Sequence, residues 1–203
     1  MPPFNPKKAY MTTGIIALNV LYFLFLSTQG NPAYDLELLV RYGAIYTPYV
    51  TEQHEYYRLL TACFIHFGIA HLVNNMIVLF AIGDILERTI GHWRFLLVYL
   101  LAGIGANAIS CYYHLSMQDI TVAAGASGAV FGIVGALLFA VIRNRGRLMG
   151  MSFRSMLIYV VLSVYLSAAA GGVDNTAHIG GLVLGFLLCA IVYHPKALQW
   201  QNR

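Results

Sequence analysis

The first group in this sequence that is suited to chemistry is a serine set among small residues. Residues 123 to 132 read AAGASGAVFG, and Ser127 stands between Ala126 and Gly128. A serine hydroxyl is a weak nucleophile until a neighbouring base removes its proton. The stretch alone favours helix packing, because Gly, Ala and Ser are common where two membrane helices touch. A catalytic role for Ser127 therefore depends on which polar groups share its surroundings.

His178 is the candidate base for that serine. It lies in DNTAHIGGLVLG, and ionisable groups inside apolar segments are by default functional candidates. We predict that His178 takes the proton of Ser127. Asp174 lies four residues earlier, and it is left open whether its carboxylate orients His178 as the third member of a triad.

Donors for a developing oxyanion are predicted at two places. His71 and Asn75 are four residues apart, so they project from one helix face, whereas His66 falls off that face and is read as an interface or network residue. The stretch QDITVAAGASGAV carries no helix cap, so we expect its helix to begin only near Ser127 and to offer free backbone N–H groups there. Irregular backbone at membrane depth implies a surrounding cavity.

Two stripes of small residues are expected to bring the relevant helices together. Such stripes let backbones approach closely, and contact between these two would allow His178 to reach Ser127. The stripes are Gly128, Gly132 and Gly135 on one helix, and His178, Gly181 and Gly185 on the other.

Composition predicts an all-α integral membrane protein. Of the 203 residues, 59% are hydrophobic and only 10% are charged. We expect a single domain, residues 1–203, in which six apolar stretches span or nearly span a bilayer. They are residues 11–28, 59–83, 94–113, 123–142, 155–173 and 176–194.

Charge sets the expected orientation. The first apolar run is read as a retained helix because no convincing signal-peptide cleavage site follows it. With both termini cytoplasmic, only Arg41 and Arg58 fall outside, and the candidate site lies in the outer half of the membrane. The connection 29–58, rich in Tyr and aliphatic residues, is expected to lie in the outer interface. The inside set is Lys7, Lys8, Arg88, Arg94, Arg143, Arg145, Arg147, Arg154, Lys196 and Arg203.

These motifs resemble those of the rhomboid intramembrane serine proteases over essentially the whole chain. The matches are GASG at Gly125–Gly128, AHIGG at 177–181 with Gly185 after it, and H-x-x-x-N at His71 and Asn75. Supporting matches are G-x-x-x-E-x-x-x-G at Gly83, Glu87 and Gly91, and Tyr57-Arg58 in place of a Trp-Arg pair.

The resemblance implies a six-helix rhomboid bundle and a Ser127–His178 dyad without an obligatory acid. It also implies cleavage of single-pass or multi-pass transmembrane substrates near the outer face of a bacterial cytoplasmic membrane. Phe131 stands where relatives often carry a Tyr stacked on the catalytic histidine, which predicts a looser hold on His178.

Rival interpretations are a proton-coupled transporter and a catalytically silent rhomboid relative acting as a chaperone. The transporter would prefer carboxylates in the spans and an inverted repeat. The silent relative would lack Ser127 or His178, and both are present. The sequence calls for no metal, cofactor or nucleic acid, and its three cysteines are read as buried apolar groups.

Overall fold

The computed structural model describes residues 9–169 and 172–193, a largely helical chain. Residues 170–171 and 194, at predicted helix ends, lie outside the described residues, as do Lys7, Lys8, Lys196 and Arg203. The α-helices are α1 (Tyr10–Gln29), α2 (Leu36–Arg41), α3 (Thr47–Thr51), α4 (Arg58–Thr61), α5 (Gly68–Val78), α6 (Asp84–Ile90), α7 (His92–Ser116), α8 (Ser127–Arg143), α9 (Phe153–Ala169) and α10 (Asn175–Val192).

Short strands form two antiparallel pairs in this part of the chain. β1 (Ile45–Tyr46) pairs with β2 (Val122–Ala123), and β3 (Arg147–Leu148) pairs with β4 (Met151–Ser152). The first pair ties the long connection between α1 and α4 to the stretch that leads into α8. The second pair forms the turn between α8 and α9.

Helices of membrane-spanning character dominate the described residues. Four helical stretches are long and apolar enough to cross a membrane: Tyr10–Gln29, Gly68–Ile90, His92–Ser116 and Asn175–Val192. α8 and α9 are apolar as well but have 17 residues each. Each of the six predicted apolar stretches therefore corresponds to helical structure.

The second stretch differs from its prediction as one helix over 59–83. It begins as α4 and a 3₁₀ turn, breaks at residues 65–67, resumes as α5 and continues through a π-helical turn, Leu79–Gly83, into α6. Gly68, at φ +83°, opens α5 in a conformation that side chains disfavour. His66 consequently lies in the break and not on the helix.

A buried carboxylate joins the start of α1 to α6. Glu87 accepts hydrogen bonds from the Met11 N–H at 2.9 Å and from the Thr12 N–H at 2.7 Å. It also bonds the Thr12 hydroxyl at 2.6 Å and contacts His92. The first N–H groups of a helix have no partner within that helix, and a negative charge there is favourable. Glu87 therefore fixes where α1 begins.

Arg58 organises the long connection before α4. Its guanidinium is buried and donates to the carbonyl oxygens of Val40 at 2.6 Å and Ala44 at 2.9 Å. It also bonds the Glu55 carboxylate at 2.5 Å, which lowers the pKa of Glu55 below its ordinary value. The connection is therefore a fixed structure with its own short helices.

α8 is the centre of the packing. It lies against α7 and α10, and most of its residues are buried. α9 is different, because Met156 and Val160 are its only residues that are buried in the described part of the chain. Cys63, Cys111 and Cys189 are buried free thiols, as predicted.

Candidate active site

α8 begins at Ser127, the position predicted for its start. Ala126 precedes it and supplies no side-chain cap, so the first N–H groups of α8 are left for another partner. The Ala126 N–H itself points to Nε2 of buried His66 at 3.4 Å. His66 thus acts in a polar network that supports the chain before Ser127.

Gly125 allows His71 to approach the serine. Its φ is +140°, and its N–H donates to the Ala62 carbonyl at 2.9 Å. A Cβ built at Gly125 would lie 3.0 Å from Nε2 of His71 and 3.5 Å from Oγ of Ser127. Any larger residue at position 125 would therefore fill the space between the imidazole and the hydroxyl.

The small residues of α8 and α10 lie in direct backbone contact. A Cβ built at Gly181 would lie 2.1 Å from the Gly128 carbonyl oxygen, and one at Gly185 would lie 1.8 Å from that of Gly132. Both contacts advance in the same direction, so the two helices run parallel. The Cβ positions of Gly128 and Gly132 point instead toward Ala106 and Ala102 of α7, at 2.9 and 2.4 Å, so the α8 stripe serves two neighbours.

His178, which belongs to α10, packs against the face of α8 that carries Ser127. Its imidazole stacks on the Phe131 ring with centroids 4.2 Å apart and planes inclined by 14°. Phe131 is one turn after Ser127, and helical side chains lean toward the N-terminus, so the stack lies beside the serine. Among the described residues no hydrogen bond joins Ser127 to His178, and such bonds are often long before substrate binds.

Nδ1 of His178 has a hydrogen-bond partner that was not predicted from the sequence. Nδ1 lies 2.7 Å from the Ser167 hydroxyl of α9, and that hydroxyl donates to Oδ1 of Asn175 at 2.8 Å. Ser167 is one of three serines in α9, and nothing in the sequence of that helix distinguishes it from the other two. Asn175 lies three residues before His178 on the same helix, and this spacing does indicate that the two side chains are neighbours.

Asp174 does not occupy the orienting position that the sequence left open. Its Oδ1 caps α10 by accepting from the Ala177 N–H at 2.9 Å, and its Oδ2 accepts from the Ser110 hydroxyl. The structure therefore gives this carboxylate a role at a helix start, and Ser167 holds Nδ1.

His71 and Asn75 lie on one face of α5, as their spacing predicts. The Asn75 amide donates one hydrogen to the His71 carbonyl at 2.9 Å, and the His71 ring lies parallel to Phe67. Asn75 is buried, and both side chains border the same cavity as Ser127.

The cavity has a volume of about 920 Å³ and is bordered by Ser127, His178, Ser167, His71 and Asn75. Its wall carries the Ser127 hydroxyl, the His178 imidazole, the Asn75 amide, and the His71 imidazole on the other side of Gly125. This set has the components of acyl transfer: a nucleophile, a base and oxyanion donors. No cluster of three or more His, Cys, Asp or Glu suited to a metal ion occurs within residues 9–169 and 172–193.

The family model and the similar proteins that match this chain agree on one family. The family model described as Rhomboid domain matches residues 53–195. Rhomboid protease GluP of Bacillus subtilis is 37% identical over 200 residues, which are 98% of this chain and 38% of that protein. Putative rhomboid protease YdcA of the same organism is 35% identical over 94% of this chain and 92% of its own length.

A plant relative extends the likeness. RHOMBOID-like protein 4 of Arabidopsis thaliana is 33% identical over 184 residues, which are 89% of this chain and 46% of that protein. The chain therefore spans less than half the length of GluP and of the plant protein, and most of the length of YdcA.

Proposed function

The chain belongs to the rhomboid family, and from this premise we propose that it is an intramembrane serine endopeptidase. The observation that carries the proposal is the position of Ser127, at the uncapped start of α8 and beside the His178–Phe131 stack. Two relatives named as rhomboid proteases, one of them putative, support the same activity.

In the proposed reaction His178 acts first as base and then as acid. Nε2 accepts the Ser127 proton as Oγ attacks the scissile carbonyl, and it returns that proton to the leaving amine as the peptide bond breaks. Water then attacks the acyl-enzyme with the same imidazole as base, and Ser127 is restored. Phe131 holds the imidazole plane in place through both halves of the reaction.

The oxyanion of each tetrahedral intermediate is stabilised by preset donors. The N–H at Ser127 and the positive end of α8 lie where Oγ bonds to the substrate. The His71 imidazole approaches from across Gly125, and the second amide hydrogen of Asn75 remains for the same oxygen. A single donor of this kind contributes about 2.7 to 4 kcal/mol to the transition state.

The proposed substrates are transmembrane helices presented by the bilayer. In the proposed topology, which has six spans and cytoplasmic termini, the starts of α5, α8 and α10 and the cavity between them face the outer side. The long connection before α4 then lies in the outer interface. A bacterial cytoplasmic membrane is the proposed location.

The test is cleavage by the purified protein in detergent of a panel of single-span substrates, with the cut bond located by mass spectrometry. We expect cleavage near the outer end of the substrate helix, its loss in Ser127→Ala, and its retention in Ser27→Ala. Ser27 is a matched control because its hydroxyl donates to the Phe23 carbonyl of its own helix. Cleavage by Ser127→Ala would refute the assignment, and a folded but inactive wild type would indicate a silent family member.

A further inference from the structure

We propose that Ser167 and Asn175 are positioning residues that fix which nitrogen of His178 carries the proton. This inference rests on the proposed function, because it matters only if His178 is the base. It is carried by the hydrogen-bond chain from His178 through Ser167 to Asn175.

The direction of this chain follows from counting protons. The Ser167 hydroxyl has one hydrogen, and it is donated to the Asn175 side-chain oxygen, which can only accept. Toward His178 the same hydroxyl can then only accept. Nδ1 must therefore carry the hydrogen of that bond, and the neutral imidazole keeps its lone pair on Nε2.

This proton arrangement is the one that a base for Ser127 needs. The partner of one ring nitrogen decides the protonation of the other. With Nδ1 protonated, Nε2 is free to accept the Ser127 proton, and the imidazolium formed donates through Nδ1 to Ser167. A hydroxyl and an amide thus do what a carboxylate does in a triad, without a charge.

Asn175 is as important as Ser167 in this chain. Without the Asn175 oxygen, the Ser167 proton is free to turn toward Nδ1 and donate to it. That donation places the imidazole hydrogen on Nε2, where it faces the serine and blocks base catalysis. Loss of either residue is therefore expected to change which ring nitrogen of His178 carries the hydrogen, with little change to the shape of the cavity.

The chain also couples the dyad to the position of α9. Met156 and Val160 are the buried residues of this helix, and they lie about three and two helical turns before Ser167. The Ser167 end of α9 is therefore weakly packed. Displacement of that end by about 1 Å would lengthen the bond to Nδ1 beyond hydrogen-bond range.

The kinetic test compares Ser167→Ala, Ser167→Thr and Asn175→Ala with wild type and with Ser27→Ala. For imidazoles that bind a metal, removing the group that orients the ring costs roughly ten- to a hundredfold, and we take the same scale for His178. We expect kcat to fall by this factor in Ser167→Ala and Asn175→Ala with KM nearly unchanged, and Ser167→Thr to restore most of it. Unchanged kcat in Ser167→Ala, while wild type cleaves and Ser127→Ala does not, would overturn this inference and leave the proposed function intact.

A spectroscopic test is independent of turnover. Nitrogen-15 NMR of histidine-labelled protein distinguishes protonated from unprotonated ring nitrogens, and comparison with His178→Gln assigns the His178 signals. We expect the wild-type hydrogen on Nδ1 and, in Asn175→Ala, a shift of population to Nε2. A wild-type hydrogen on Nε2 would mean that the Asn175 amide donates to Ser167, and the inference would be wrong even if the enzyme is active.

Discussion

The Phe131 ring of α8 and the His178 imidazole of α10 lie face to face, 4.2 Å between centroids and 14° from parallel. The sequence predicted that Phe131, without a tyrosine hydroxyl, would hold His178 more loosely. The structure keeps the ring contact and adds the bond from Nδ1 to Ser167. The imidazole is thus fixed by a ring on one face and a hydroxyl at one edge.

Phe131→Leu should slow cleavage by roughly two- to tenfold, because an aromatic pair contributes about 0.5–1.5 kcal/mol beyond its buried area. Phe131→Tyr keeps the ring and should cleave near the wild-type rate. Phe139→Leu is the matched control, since Phe139 lies on the same helix and contacts Phe186. Equal rates for Phe131→Leu and wild type in single-turnover assays would show that the stack on His178 does not contribute to catalysis.

Gly185→Ala should lower both stability and activity. The added Cβ would meet the Gly132 carbonyl at 1.8 Å, so α8 and α10 must separate. Overpacking of this kind costs about 1–3 kcal/mol, and a misplacement of about 1 Å can reduce turnover a hundredfold.

Gly14→Ala is the control for this substitution. A Cβ at Gly14 would meet nothing within 4 Å, and alanine is favoured over glycine in a helix by about 1 kcal/mol. Thermal unfolding and turnover measured on both variants should separate them. If Gly185→Ala matched Gly14→Ala in both, the helix contact would not position the site.

Asn75→Ala and His71→Ala should slow the chemical step by roughly ten- to a thousandfold while substrate affinity changes little. The charge that they bind appears only in the transition state. If both serve one oxygen, the double variant should lose less than the product of the single losses.

Asn74→Ala is the matched comparison for these donors, because Asn74 is the exposed neighbour of Asn75 at the same cavity, and its effect should be smaller. Single-turnover rates and binding constants in one detergent provide the data. Poor binding with normal saturated rates would assign His71 and Asn75 to substrate docking.

Glu55→Gln should destabilise the connection before α4 in a pH-dependent way. The hydrogen bond from Arg58 lowers the pKa of Glu55 from its ordinary 4.5, so its contribution is fully present above about that pH. It is lost as the pH falls through the lower folded value. Melting temperatures of wild type and variant should therefore differ at pH 7 and converge in acid, and a constant difference would contradict the pairing.

Features of the site that depend on spacing within one helix could be predicted from the sequence. The four-residue spacing of His71 and Asn75 places both on one face of α5. The missing cap before Ser127 correctly gave the start of α8. These features depend on local chain geometry, which the sequence encodes directly.

Features that depend on contacts between helices could not be predicted from the sequence. The break at residues 65–67 is hidden because an apolar stretch has the same composition whether or not it is helical throughout. The hydrogen bond between Ser167 and His178 depends on how α9 is rotated against α10, and no pattern within α9 indicates that rotation. Asp174 was a plausible partner by spacing, but its carboxylate caps α10 and accepts from the Ser110 hydroxyl.

The central claim is that Ser127 is a nucleophile activated by His178. The most direct measurement is peptide mapping by mass spectrometry after the folded protein has reacted with a fluorophosphonate. We predict one adduct, on Ser127, that is lost in His178→Ala and kept in Ser27→Ala. An adduct on another serine, or equal labelling of Ser127 without His178, would contradict the account.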